Sequence, residues 1–198
     1  MSKLRYRNNL SLKQDGKSVP YGGSGEIRAD GDANYGFKDL KGHSALLTSV
    51  PELVRDPVLL EFVRTINSAQ SALFSIGCNS SDVTDEQGSR RSGYVEFAFN
   101  SVGLVADASN YFPVFFHFDR YLFSIESELQ IAFDWELMGA HFLDRRVDGF
   151  TCSIIVNTFY TTSTDTARIH WAEALALLGE YLGDVGPKSA DYIYPVDA

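Results

Sequence analysis

His117 and Asp119 have the residue types of a general base and the carboxylate that orients it. Residues two positions apart project from the same face of a β-strand, where an imidazole and a carboxylate could activate a nucleophile or share a metal ion. The aromatic density of residues 112–125 favours a strand, although a helix with an aromatic stripe fits the same spacing. Arg120 could instead neutralise Asp119 and leave His117 packed on an aromatic face.

The densest acidic cluster of the sequence contains four side chains: Glu126, Glu128, Asp134 and Glu136. Asp134 and Glu136 alternate with apolar residues, so they share the polar face of a predicted strand. Paired carboxylates could serve glycoside hydrolysis, bind a divalent cation or dock a basic protein. Alternation alone also explains the pattern, because one solvated sheet face produces it. Among the functional alternatives we expect a docking surface, with these four as its binding residues.

The other histidines have fewer chemical partners nearby in the sequence. His141 lies near the end of a predicted hairpin, beside Asp144, and is a further candidate for the same catalytic site as His117. His170 and Glu173 are one helical turn apart, a spacing that can ligate metals in helix bundles or form an ordinary surface pair. The sequence contains no phosphate-loop, nucleophile-elbow or zinc-protease signature, and we expect neither a cofactor nor a metal.

Alternating side chains predict the strands that would position these groups. Residues 129–137 are the clearest case, because every second side chain is large and apolar. An Asp-Gly turn then leads to a β-branched and aromatic return strand over residues 150–160. Two earlier strands are predicted at 72–78 and 94–100.

Two helices are expected beside these strands. Asp56 followed by Pro57 is a start signal, because Asp caps a helix and Pro suits its first position. A second helix with a broad apolar face is predicted between a cap at Ser163, Thr164 or Asp165 and an end at Gly183. Together the elements predict an α+β fold, with an antiparallel meander of about four or five strands and two flanking helices packed on one face.

The chain is expected to divide into an arm and a domain. Residues 1–45 are predicted to form an irregular, glycine-rich N-terminal arm, because glycines there alternate with Asp, Asn and Ser. Residues 4–13 could form one strand within it, although two asparagines interrupt their alternation. Residues 46–198 are predicted to form a single α+β domain.

Charge is distributed unevenly along the 198 residues, whose formal net charge is −9. Eight basic and five acidic side chains give residues 1–50 a charge of +3, and nine basic and 21 acidic side chains give residues 51–198 a charge of −12. An acidic domain repels phosphates, so we expect no binding to nucleic acid. It favours a basic protein partner, or serves solubility alone.

Hydropathy and cysteine content indicate the compartment. No run of residues is apolar enough for a transmembrane helix, and the N-terminus lacks the apolar core of a secretory signal. We therefore expect no membrane association and a cytoplasmic location. Cys78 and Cys152 lie in apolar runs and are predicted to be free and buried.

These features favour a non-enzymatic binding protein that engages a basic protein partner through the acidic cluster. By composition alone, it is similar to acidic inhibitors and immunity proteins. One alternative is a small hydrolytic enzyme that uses His117 and Asp119, with its pocket between the sheet and the arm. Another is a structural subunit whose arm and tail dock on neighbouring subunits.

Overall fold

The computed structural model describes residues 4–23, 35–186 and 191–194. Within these ranges one five-stranded sheet is accompanied by several helices, which confirms the α+β class. The strands are β1 (Arg5–Val19), β2 (Leu73–Asp85), β3 (Gly88–Phe99), β4 (Gln130–Phe142) and β5 (Val147–Thr158).

The sheet is mixed and departs from a simple meander. Its strand order is β1-β4-β5-β3-β2. The hairpins β2–β3 and β4–β5 are antiparallel, β3 also pairs antiparallel with β5, and β1 lies parallel to β4. The meander prediction therefore holds for the two hairpins only. The edge position of β1 depends on contacts between distant parts of the chain, which no local pattern encodes.

The described part of the chain contains five α-helices: α1 (Pro51–Arg55), α2 (Pro57–Ile66), α3 (Val102–Val105), α4 (Tyr111–Ser124) and α5 (Thr164–Gly183). Asp56 accepts backbone N–H groups at the start of α2, as predicted, and Ser163, one of three candidate caps, does so at the start of α5. The expectation of two flanking helices was incomplete, since α4 also packs on the sheet. None of the described helices has both the length and the apolar character needed to cross a membrane.

Helix α4 occupies the segment 112–125, so the strand predicted there is wrong. Its buried residues Phe115, Phe118 and Leu122 recur at helical spacing, a period that the aromatic density of the segment obscures. Phe118 packs edge-on against Phe133 of β4, with ring centroids 5.1 Å apart. This apolar stripe fills one face of the sheet, and that packing determines the helical conformation.

Helices α4 and α5 cover the same face of the sheet. Phe133, Val156 and Gly93 are register partners on β4, β5 and β3, so they share this face. Phe133 contacts Phe118 of α4, and a side chain at Gly93 would meet Trp171 of α5. Helix α2 packs beside α5 and extends the helical layer.

Strand β1 replaces much of the predicted irregular arm. It runs along β4 for 15 residues, with a register break between Leu12 and Gly16. The possible strand over residues 4–13 is therefore present, and the description of residues 5–19 as irregular is wrong. Residues 24–34 of the predicted arm lie outside the described residues.

The face of the sheet opposite α4 and α5 is polar at its centre and apolar at one end. At the apolar end, Val19 and Phe142 are buried, and Phe142 contacts Phe74. Tyr194 packs edge-on against Phe74, with centroids 4.9 Å apart, and stacks on Phe37. Phe37, which precedes β2, and Tyr194, which follows α5, thus close this end of the face.

Of the two cysteines predicted to be buried, the structure buries one fully and the other in part. Cys152, Trp135 and Trp171 are buried, and Cys78 is half-buried. Both cysteines are free thiols. Burial raises the pKa of Cys78 to about 12, so its thiol stays protonated and is a poor nucleophile.

Candidate functional site

The two acids of β4 face polar side chains of β1 across the sheet. Arg7 Nη2 lies 2.8 Å from one Asp134 oxygen, and the Asn9 side-chain amide donates to the other oxygen at 2.9 Å. Lys13 Nζ lies 2.8 Å from Glu136 Oε1, and the hydrogen bond to Glu136 raises the pKa of Lys13. Asp134 and Glu136 are therefore paired within the molecule rather than presented as free carboxylates.

A third ion pair extends this pattern to β3. Lys17 pairs with Glu96, a buried carboxylate, and its ammonium lies 5.4 Å from the ring centroid of Tyr21. The basic N-terminal region and the acidic remainder of the sequence thus meet across the sheet. Charge that the sequence shows as uneven along the chain is partly compensated in three dimensions.

Glu126 and Glu128 have different surroundings. They lie in the connection 125–129 between α4 and β4, where they are exposed and alternate with residues that point inward, including Ile125 and buried Leu129. Two backbone hydrogen bonds, of 3.4 and 3.1 Å, fasten this connection to the start of β1. In the described part of the chain, neither carboxylate forms an ion pair.

A groove of about 500 Å³ opens beside this connection. It lies between the start of β1, the end of α4 and the residue that follows β5. Phe123 and Phe159, at its walls, are 69% and 43% exposed. The complete lining is Leu4, Arg5, Tyr6, Leu122, Phe123, Ile125, Gln130 and Phe159. We call this the rim groove, and Glu126 and Glu128 its rim acids.

The structure separates His117 from Asp119. Both lie on α4, where residues two apart are about 200° apart around the axis, so the geometric basis for pairing them is wrong. Asp119 accepts a hydrogen bond from the side-chain amide of Asn8 at 3.3 Å, and its carbonyl accepts the Tyr6 hydroxyl at 3.2 Å. His117 instead lines a cleft between α4 and α5.

The remaining histidine candidates lie on other parts of the surface. His141 Nδ1 is 2.6 Å from Asp148 at the end of the β4–β5 hairpin, so its partner is Asp148 rather than Asp144. His170 is half-buried on α5, and Glu173 is exposed. Among the described residues, no three or more His, Cys, Asp or Glu side chains are grouped to hold a metal ion.

Sequence reasoning identified Asp56 as a helix cap but missed the network around it. One carboxylate oxygen accepts hydrogen bonds from Ser80 at 2.7 Å, Arg91 at 2.7 Å and Trp171 at 2.9 Å. Burial opposes ionisation of Asp56, but the hydrogen bonds from Arg91 and Ser80 outweigh it, so the pKa of Asp56 is lowered. The Asp-Pro signal predicts the cap, and only the fold supplies the other donors.

Asp82 extends this network to the surface. It lies 2.6 Å from Arg91 and 2.6 Å from Arg168, which belongs to α5. Although burial of Asp82 acts in the opposite direction, hydrogen bonds from both guanidinium groups lower its pKa. The network joins the start of α2, the β2–β3 hairpin and α5, and each charge in it has an opposite partner. We therefore assign it a role in stability.

The described residues form an α+β protein with a groove that is lined mainly by apolar side chains, together with Arg5 and Gln130. Beside it lie two acids that form no ion pair within the described part of the chain. Comparison with family models, curated proteins and solved structures finds no match to this chain.

Proposed function

We propose that the chain is a non-enzymatic protein-binding module, of inhibitor or immunity type, that acts in the cytoplasm. Its rim groove docks a basic segment of a partner protein. The observation that carries the proposal is the position of the rim acids. Two exposed carboxylates, without an ion-pair partner among the described residues, lie beside a groove that exposes two phenylalanine rings.

The groove has the two components of a docking site for such a segment. Phe123 and Phe159 offer apolar surface that a large side chain of the partner can bury, and buried anchors of this kind supply most of the binding energy at interfaces. Glu126 and Glu128 can accept charge-assisted hydrogen bonds from lysine or arginine beside that anchor. The charge of −12 over residues 51–198 attracts a basic partner and speeds association.

Only half of the acidic cluster predicted from the sequence belongs to this proposal. Asp134 and Glu136 hold the basic residues of β1, so a partner would have to displace those ion pairs before it could use them. Desolvating a paired charge costs free energy without adding a new interaction. The proposed binding residues are therefore the rim acids and the phenylalanines of the groove.

Photo-crosslinking tests the location and the chemistry together. A benzophenone amino acid placed at Phe123 should capture a partner in cells, and mass spectrometry should find a lysine- or arginine-rich segment at the crosslink. The matched control is the same probe at Ile169, which is 58% exposed on α5 and is not part of the groove lining. Capture at Ile169 but not at Phe123, or a captured segment without basic residues, contradicts the proposal.

Charge reversal then measures the contribution of the rim acids. The double variant Glu126→Lys/Glu128→Lys should weaken binding of the captured partner by about tenfold or more, because attraction becomes repulsion. Glu61→Lys/Glu173→Lys changes the net charge equally on exposed helical surfaces and should change affinity by less than about twofold. Equal affinities for the two double variants, measured by biolayer interferometry, would exclude the rim acids.

A further inference from the structure

A second cleft lies between α4 and the C-terminal end of α5. Its volume is about 570 Å³, within the range of small-molecule sites. Phe99, Leu104, Val114 and Val185 make part of its lining apolar. The residues that line this cleft differ from those of the rim groove, so the two sites can be tested independently.

The charge around the cleft is negative. Glu180 and Asp184, both exposed, are four positions apart at the end of α5 and line the cleft together. The described lining contains no lysine or arginine, and His117 is its only imidazole. The last turn of this 20-residue helix carries no basic side chain. Because a helix ends in a partial negative charge, the end of α5 adds to the field of the carboxylates.

Two tyrosines fix the geometry of the acidic side of the cleft. The Tyr121 hydroxyl donates to Glu180 Oε2 at 2.9 Å, and the Tyr181 hydroxyl donates to the carbonyl of Val114 at 2.7 Å. Their rings stack with centroids 5.9 Å apart. Burial raises the pKa of each tyrosine to about 12, so both remain neutral donors. Aromatic rings beside carboxylates form a favourable environment for an organic cation.

We propose that this cleft binds a small organic amine, with its ammonium group at Glu180 and Asp184 and its apolar body against the lining between the helices. An anion of the same size would meet two carboxylates and a helix C-terminus, which repel it. A bare Ca²⁺ ion requires six or more oxygen ligands, and two carboxylates supply too few of them. The apolar lining and the negative charge together are matched by an amine that carries a hydrocarbon body.

Calorimetry with three related probes tests the chemical class. 2-Phenylethylamine, 2-phenylethanol and 3-phenylpropanoate share an aromatic body and differ in charge. At pH 8 and low ionic strength, the full chain should bind the amine about tenfold more tightly than the alcohol, and the carboxylate more weakly than either. Equal affinity for amine and alcohol, or no measurable binding of the amine, overturns the proposal.

Variants locate the site. Glu180→Gln and Asp184→Asn should each weaken amine binding by about threefold to tenfold, whereas Glu173→Gln, the same change elsewhere on α5, should have no effect. Pro113→Trp fills the cleft from an exposed lining position and should abolish binding while both carboxylates remain. Thermal melts verify that each variant is folded. Amine affinity that survives Pro113→Trp shows attraction to the acidic surface alone and refutes a cleft site.

Discussion

Two pairs of acids lie close together in the sequence and have opposite surroundings in the fold. Asp134 and Glu136 are half-buried on β4 and bonded to Arg7, Asn9 and Lys13 of β1. The rim acids, a few residues earlier, are exposed and unpaired within the described residues. The difference arises because Asp134 and Glu136 lie within the register of β1 and β4, whereas the rim acids precede the first register pair, Arg5 with Gln130. Local acidic density therefore does not distinguish paired acids from exposed ones, whereas the position of the neighbouring strand does.

The ion pairs of β1 also change how the net charge should be understood. A sequence with a basic N-terminal region and an acidic remainder could present both charges to solvent. Here the parallel register places Asn9 opposite Asp134 and Ser11 opposite Glu136, which brings the basic side chains of β1 within reach. Part of the charge thus stabilises the sheet edge, and only the uncompensated part is available for binding.

The largest effect is expected where an acid is paired most deeply, at Asp56. Asp56→Ala removes the cap of α2 and leaves the largely buried guanidinium of Arg91 without this partner, so we expect a loss of about 3–5 kcal/mol in the free energy of unfolding. Urea denaturation measures it. The control Glu61→Ala removes an exposed acid from the same helix and should cost less than about 1 kcal/mol. Similar losses for the two variants would show that a buried, paired acid contributes no more to stability than an exposed one.

The same network predicts how stability depends on pH. The pKa values of Asp56 and Asp82 are lowered in the folded state, so the unfolded chain takes up protons first as the pH falls. Their stabilising contribution is complete above about pH 5 and is lost as the pH falls through about 4 towards the folded pKa values. Asp56→Asn should therefore flatten the dependence of urea midpoints on pH below 5. If the urea midpoints of Asp56→Asn and of the unmodified chain depend on pH in the same way, the lowered pKa of Asp56 is contradicted.

A smaller effect is expected for half-buried Asp134 of β4, which pairs with Arg7 of β1. Asp134→Ala should lower the free energy of unfolding by about 0.5–1 kcal/mol, because it removes the hydrogen bonds from Arg7 and Asn9. Glu128→Ala, at a rim acid, should change it by less than about 0.5 kcal/mol. A double-mutant cycle with Arg7→Ala isolates the pair. If Glu128→Ala destabilises the fold as much as Asp134→Ala, the rim acids have a structural partner and the contrast between the two pairs is lost.

The smallest effect should come from the outermost pair, Lys13 with Glu136. Glu136→Gln should lower the Tm by about 1 °C at low salt, and by nothing measurable in 1 M salt, where exposed charges are screened. Glu126→Gln should leave the Tm unchanged at both salt concentrations. Differential scanning calorimetry is the appropriate measurement. A salt-dependent shift in Tm for Glu126→Gln would show that a cation lies beside that rim acid. Glu126 and Glu136 would then not differ in their pairing.

Elements with a local signal were predictable from the sequence. The alternation along β4 and the cap signals at Asp56 and Ser163 involve neighbouring residues only, and the structure contains each of them. Burial of Trp135 and Trp171 follows from their place in these periods. Local periodicity is sufficient here because burial of one face requires apolar side chains at regular positions. In a strand these are every second residue, and in a helix every third or fourth.

The helix α4 and the strand β1 were not predictable in the same way. In α4, phenylalanines occur both on the buried stripe and at exposed positions such as Phe116 and Phe123, so their number favours a strand although their spacing fits a helix. In β1, Asn8 and Asn9 look like interruptions. The fold uses them as cross-strand partners, because Asn8 accepts the Trp135 indole N–H at 2.9 Å and Asn9 binds Asp134.

Local sequence patterns were sufficient to predict the α+β class, parts of each hairpin strand, two helix starts and the uneven charge. Tertiary structure alone decided which acids are paired, which are exposed, and that His117 faces the acidic end of α5 rather than Asp119. The physical reason is the separation along the chain between the residues that interact. Periods and caps act over a few residues, whereas the partner of Asp134 lies 127 positions away, and only the strand register brings the two side chains together.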